Sequence, residues 1–130
     1  MAGVRGLAHA NLRAPEALIE RLRRFYVEVI GLREGPRPRF RSRGYWLYAG
    51  DADVLHLTVA TPGDAAPQPT GHFNHLAFAC DDLADTRARL DAAGLAYRVD
   101  AVDDLGQVQL FLRDPCGFAI ELNFAPARRP

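Results

Sequence analysis

The 130-residue chain contains no lysine: all 16 of its basic residues are arginine, and 16 acidic residues balance them. With no net charge there is no overall field to draw in nucleic acid or an anionic membrane, so neither partner is expected. The missing lysine is a matter of composition and carries no functional inference. Cysteine is scarce too. Cys80 and Cys116 lack Cys-x-x-Cys spacing and sit in or beside apolar stretches, so they read as reduced thiols packing as small hydrophobes. No window approaches the ~20 apolar residues of a membrane span. The opening MAGVRGLAHANL lacks the apolar core of a secretory leader, so a soluble, cytoplasmic protein is expected. What the chain does have is a 48% hydrophobic content, enough for one substantial core, and residues 1–130 read as a single domain.

An internal repeat organises that domain. YWLYAGDADVLHLTVA, residues 45–60, superposes on LFLRDPCGFAIELNFA, residues 110–125, at a constant shift of 65, placing His56 on Glu121. A shift of 66 lays LAHANL on FNHLAF and His9 on His75. Repeats of this kind decide the architecture before any single element does.

Each copy reads as βαβββ. In the first, a strand around LAHANL precedes PEALIERLRRFYVEVIGL, whose Leu18, Leu22, Phe25, Tyr26 and Val29 recur at helical spacing up to Gly31. Strands are expected at about 33–36, 40–49 and 53–60. In the second, NHLAFAC leads through Asp81 and Asp82, good N-capping residues, into a helix with Leu83, Leu90 and Ala93 on one side and Gly94 as its stop. Strands follow at about 96–101, 107–113 and 118–124. GDAD and DPCG supply the turns, and the Pro-rich Thr61 to Gly71 is the linker. The fold class is α+β: module 1 at about 5–60, linker 61–71, module 2 at about 72–125.

Strand alternation sorts the side chains into two faces. Leu55, Leu57 and Val59 oppose Val54, His56 and Thr58, while Ile120, Leu122 and Phe124 oppose Ala119, Glu121 and Asn123. His9 and His75 hold matching places in the first strand of each copy. One such residue alone is ordinarily a hydrogen-bonded or solvent-facing side chain. The coincidence argues for more: His9 and His56 lie 47 positions apart, His75 and Glu121 lie 46 apart, at equivalent points of two copies. Pseudo-twofold packing would let all four converge on a metal. His72, at the end of the linker, reads as a rim or surface residue.

These residues resemble the vicinal oxygen chelate superfamily, the fold of glyoxalase, bleomycin-resistance proteins and extradiol dioxygenases. The resemblance runs from Leu7 to Ala125. It is carried by LAHANL, FYVEVIGL, VLHLTV, FNHLAFACDDLADTRARL and QLFLRDPCGFAIELNF, which is similar to the family's aromatic-x-x-D-P-x-G-x-x-I-E-L signature. It implies a curved eight-stranded mixed sheet, built from the two modules, around a metal-binding cavity. The implied ligands are His9, His75 and Glu121, with His56 where metal-dependent glyoxalase I carries a glutamate. His56 is thus a fourth ligand or an acid/base group, and His56 and Glu121 are the expected catalytic residues. The implied cofactor is one divalent ion per site, Fe(II), Mn(II), Ni(II) or Zn(II), whose open positions suit a substrate with two adjacent oxygens. Many relatives are homodimers, and a homodimer is expected.

Parity also places Trp46 and Tyr48, and Gln109, Phe111 and Arg113, on the cavity face, as a substrate-binding wall or, for Trp46 and Phe111, as core filling. Arg37, Arg39, Arg41 and Arg43 alternate in PRPRFRSRGY. They form either a solvated edge that discourages sheet pairing or an anchor for a carboxylate or phosphate. The function expected is that of a metal-dependent dioxygenase or glyoxalase-like lyase or isomerase. The alternative is a binding protein of the bleomycin-resistance type, without metal or catalysis, and a fosfomycin thiol transferase ranks below both.

Overall fold

The protein is described by a computed structural model covering residues 3, 5–63, 71–102 and 106–126. Its contacts divide the chain into two compact units, residues 1–68 and 69–130. Most of the expected linker, residues 64–70, lies outside the described residues.

The first unit runs β1 (Ala10–Ala14), α1 (Glu16–Arg24), a π-helical continuation (Phe25–Ile30), β2 (Arg33–Gly35), β3 (Gly44–Ala49) and β4 (Ala52–Val59). Its four strands form one sheet in the order β1-β4-β3-β2, with β1 parallel to β4 and the other pairs antiparallel. The second unit repeats this plan with β5 (His75–Cys80), α2 (Leu83–Ala92), β6 (Arg98–Val102), β7 (Gln107–Arg113) and β8 (Ala119–Phe124). The order is β5-β8-β7-β6, and β5 is parallel to β8. Two mixed sheets of identical connectivity, each with its helix, make the α+β fold that the repeat predicts.

The expected single helix of module 1 changes character halfway. Ile19 and Leu22 are buried along α1, and the chain must then bury Phe25, Tyr26 and Ile30 as well. Phe25 and Ile30 stand five positions apart, which suits the wider turn of a π-helix better than 3.6-residue spacing. Gly31 ends it with φ 100°, and the amides of Gly31 and Leu32 both donate to the Tyr26 carbonyl, at 3.1 and 2.8 Å. α1 packs on β1 and β4, and Leu47, Leu55 and Leu57 complete this core. Burying a side chain of that size contributes about 1.5–3 kcal/mol.

Two strand boundaries differ from expectation. β1 begins at Ala10, so His9 stands just ahead of the strand rather than inside it. β3 begins at Gly44 rather than near residue 40. Pro36 and Pro38 have no amide to give a ladder, so residues 36–43 form a loop. In the second unit, Asp82 caps α2 by accepting from the Asp85 amide at 3.0 Å, and Gly94, with φ 69°, follows its end. Leu110, Ile120 and Leu122 are fully buried, as the alternation of β7 and β8 requires.

The DPCG turn between β7 and β8 is held from within. The buried Asp114 carboxylate accepts from the amides of Cys116 and Phe118, at 2.8 and 2.9 Å. The Gly117 amide closes the turn onto the Asp114 carbonyl at 2.8 Å. Asp first, Pro second and Gly fourth is the residue pattern such a turn prefers.

Candidate functional site

In the first unit, β3 and β4 bring Trp46 opposite His56, and β1 brings Asn11 opposite His56 from the other side. Cross-strand neighbours of this kind share a face. The His56 ring stacks on Trp46 at 4.2 Å between centroids, with 7° between planes, and on His9 at 3.8 Å and 15°. The His56 imidazole is therefore sandwiched between two rings, and its side chain is only 12% exposed.

The structure adds a residue that sequence reasoning missed. Asp53 Oδ2 lies 2.7 Å from His56 Nε2, although three positions along a regular strand should put the two on opposite faces. The register explains it. Leu47 pairs with Leu55 but Ala49 pairs with Ala52, so β4 holds one residue more than β3 across this interval. That β-bulge inverts the parity of Asp53 and turns its carboxylate to the His56 side. Nothing local in GDADVLH announces the bulge, which is a property of the pairing.

His56, hydrogen-bonding to the Asp53 carboxylate, holds the Asp53 carboxyl below the usual range for its type. An ionised carboxylate only accepts, so the Nε2–H of His56 donates to it, and in that tautomer Nδ1 carries the ring's lone pair. One donor atom from each of His9, Asp53 and His56 lies within 4.8 Å of the others. Two imidazoles and a carboxylate suit a borderline divalent cation. The histidines line a cleft of about 400 Å³ with Asn11, Arg37, Trp46 and Thr58. Thr58 Oγ1 donates to Asn11 Oδ1 at 2.8 Å.

In the second unit, His75 opens β5 opposite Ala119, and Ala77 lies opposite Glu121. His75 and Glu121 thus occupy one face, offset diagonally by two residues. His9 and His56 stand in the same relation, because Asn11 pairs with His56. His75 Nδ1 donates to Asn74 Oδ1 at 2.7 Å, leaving Nε2 as the ring's lone-pair nitrogen. Glu121 is 8% exposed and accepts a hydrogen bond from Gln109 Nε2 at 3.1 Å. A carboxylate offers about four lone-pair sites, so the capacity left at Glu121 also suits a cation.

The remaining expected residues are scattered. Tyr48 donates its hydroxyl to the Pro36 carbonyl under the Arg33 guanidinium. Phe111 is half-buried below Arg98, whose guanidinium lies 4.6 Å from the ring centre. Arg113 Nη1 donates to the Gly117 carbonyl at 2.8 Å, bracing the turn. Gln109 touches Glu121. Among these wall residues of the sequence reading, Trp46 joins the histidines and Gln109 joins the glutamate.

Comparison with known proteins places these features in context. Residues 6–122 match the model of the Glyoxalase/Bleomycin resistance protein/Dioxygenase superfamily. The chain is 34% identical over 104 residues to "Glyoxylase I 4" of Arabidopsis thaliana, covering 75% of this chain and spanning 59% of that protein's length. Among solved structures, the glyoxylase/bleomycin resistance protein/dioxygenase domain from Frankia sp. EAN1pec superposes with a TM-score of 0.74 at 19% identity, covering 98% of this chain and 96% of that one. A glyoxalase family protein from Bacillus anthracis gives 0.72 at 23% identity, covering 96% and 98%. At these identities the superpositions speak to fold.

Proposed function

The chain belongs to the Glyoxalase/Bleomycin resistance protein/Dioxygenase superfamily, and from that premise we propose that it is a metal-dependent enzyme acting on a small molecule with two adjacent oxygens. The observation that carries this reading is the His9, Asp53 and His56 donor group within one unit. Within the first unit the proposed ligands are His9 and His56, with Asp53 holding the Nε2 proton of His56 and so aiming Nδ1, and within the second unit His75 and Glu121 are the corresponding proposed pair. In either role, ligand or base, Nδ1 is the working nitrogen of His56. A divalent ion, Fe(II), Mn(II), Ni(II) or Zn(II), would supply Lewis acidity towards the substrate oxygens.

The residues themselves favour proton transfer, the glyoxalase-like branch. His56 stands where glyoxalase I has a carboxylate, and the bulge returns a carboxylate, Asp53, to that spot. A histidine backed by an aspartate can accept a proton and hold the resulting charge. The similarity to "Glyoxylase I 4" points the same way. Trp46, stacked on His56, gives the substrate a flat apolar neighbour. A homodimer belongs to the same proposal. Among the described residues no helix is long and apolar enough to cross a membrane.

The test is elemental analysis of untagged protein prepared without chelator. About one transition ion per chain is expected, lost in His9→Ala and His56→Ala. Turnover of the methylglyoxal–glutathione adduct and oxygen uptake with catechol then separate the two branches. No ion, and no tight binding on adding Fe(II), Mn(II), Ni(II) or Zn(II), would overturn the enzyme reading in favour of a bleomycin-resistance-type binding protein.

A further inference from the structure

The four arginines of PRPRFRSRGY do not share one fate. Arg39 and Arg41 are exposed, and Arg43 pairs with Glu16 at 2.8 Å. Arg37 lines the cleft that holds His9 and His56. Its Nη1 donates to the Ser42 carbonyl at 3.0 Å and its Nη2 to the Ser42 hydroxyl at 3.1 Å. Its Nε is buried without a hydrogen-bond partner among the described residues. A guanidinium has five N–H donors, and Ser42 takes two.

Among the described residues that line the cleft there is no aspartate or glutamate. Asp53, the nearby carboxylate, is engaged with His56. The cleft is also aromatic. Phe40, 52% exposed, lies under the Arg37 guanidinium at 4.8 Å and stands 6.1 Å from Trp46 with the rings tilted by 41°. Two aromatic rings thus stand beside a guanidinium already fixed by Ser42.

We propose that Arg37 is a specificity-determining anchor for a planar aromatic carboxylate, whose ring lies against Phe40 and Trp46 and whose carboxylate takes the N–H donors that Ser42 leaves free. This rests on reading the cleft as the substrate site of the proposed enzyme. Ser42 sets the guanidinium plane in advance, which lowers the entropy cost of a forked contact, and a lysine could not reproduce that fork.

Trp46 is the sole tryptophan of the chain, so its fluorescence reports this cleft alone. The probes are benzoate and its neutral counterpart benzamide, titrated into metal-free protein. Benzoate is expected to quench Trp46 saturably and to bind at least about tenfold more weakly to Arg37→Met. Arg39→Met, on the same loop, should match the wild type, and Arg37→Lys should fall between. Benzamide should bind weakly and indifferently to all four proteins. Unchanged benzoate binding in Arg37→Met, equal binding of benzamide, or no saturable quenching would each overturn the anchor. Inorganic phosphate competing as well as benzoate would overturn the aromatic half of the proposal. The metal content of Arg37→Met separates the two ideas. Ion retained with benzoate binding lost supports both, whereas benzoate binding through Arg37 in a protein that takes up no ion supports the anchor and sinks the metalloenzyme.

Discussion

Asp53 Oδ2 and His56 Nε2 are 2.7 Å apart although the two residues stand three positions apart on one strand, because the β3 and β4 ladder slips by one residue between Leu47 and Ala49. The slip converts a residue that alternation assigns to the leucine face into the partner of the central histidine. If Asp53 orients His56 for a metal, Asp53→Asn should leave the melting temperature close to that of the wild type and weaken metal binding by about 10–100-fold. Competition against a chromophoric chelator measures this. Unchanged affinity would reduce the Asp53 contact to local packing.

Gly44 opens β3 with its α-carbon against β4. A Cβ there would lie 2.0 Å from the Leu57 carbonyl oxygen, which belongs to the backbone and cannot swing aside. Gly44→Ala should therefore cost about 3 kcal/mol, the upper part of the range for overpacking. Urea unfolding gives the number, and a cost below about 1 kcal/mol would mean that the strand pair gives way freely.

Asp114 is buried and accepts from two backbone amides of its turn. Asp114→Ala leaves both donors without a partner and should destabilise by about 2–3 kcal/mol. Asp114→Asn keeps an accepting oxygen and should cost clearly less. Equal losses in the two variants would show that charge, rather than acceptance, holds the turn.

Tyr45 donates its hydroxyl to Glu20, and Arg23 donates to the same carboxylate at 2.9 Å, so the Glu20 carboxyl is held below its ordinary range, chiefly by Tyr45. A carboxyl depressed in the folded state contributes stability that is present above its unfolded pKa and lost as the pH falls through the folded one. The melting temperature of Glu20→Gln should therefore fall less than that of the wild type between roughly pH 5 and pH 3. Parallel curves would contradict the coupling.

Burial pushes the Cys80 thiol up, while Cys116 is exposed, and neither is in a disulfide. Thiolate fraction and access together set reactivity. An aromatic disulfide reagent at neutral pH should label one thiol quickly and the other slowly, and Cys116→Ser should remove the fast phase. Loss of the fast phase in Cys80→Ser instead would reverse the assignment.

The repeat, the order of elements in each copy and the faces of β4, β5 and β8 were legible in the sequence, because alternation and turn chemistry are local and the two copies check each other. His9 with His56, and His75 with Glu121, could be paired from spacing alone for the same reason. Local pattern could not supply what depends on two segments meeting. The π-helical turn at Phe25–Ile30 follows from the need to bury three side chains at once. The loop at 36–43 singles out Arg37 through contacts with Ser42 and Phe40. Asp53 reaches His56 only because two strands pair with one residue to spare. Periodicity along a chain fixes which way a side chain points within a regular strand, but a bulge is an agreement between strands, and tertiary pairing alone decides it.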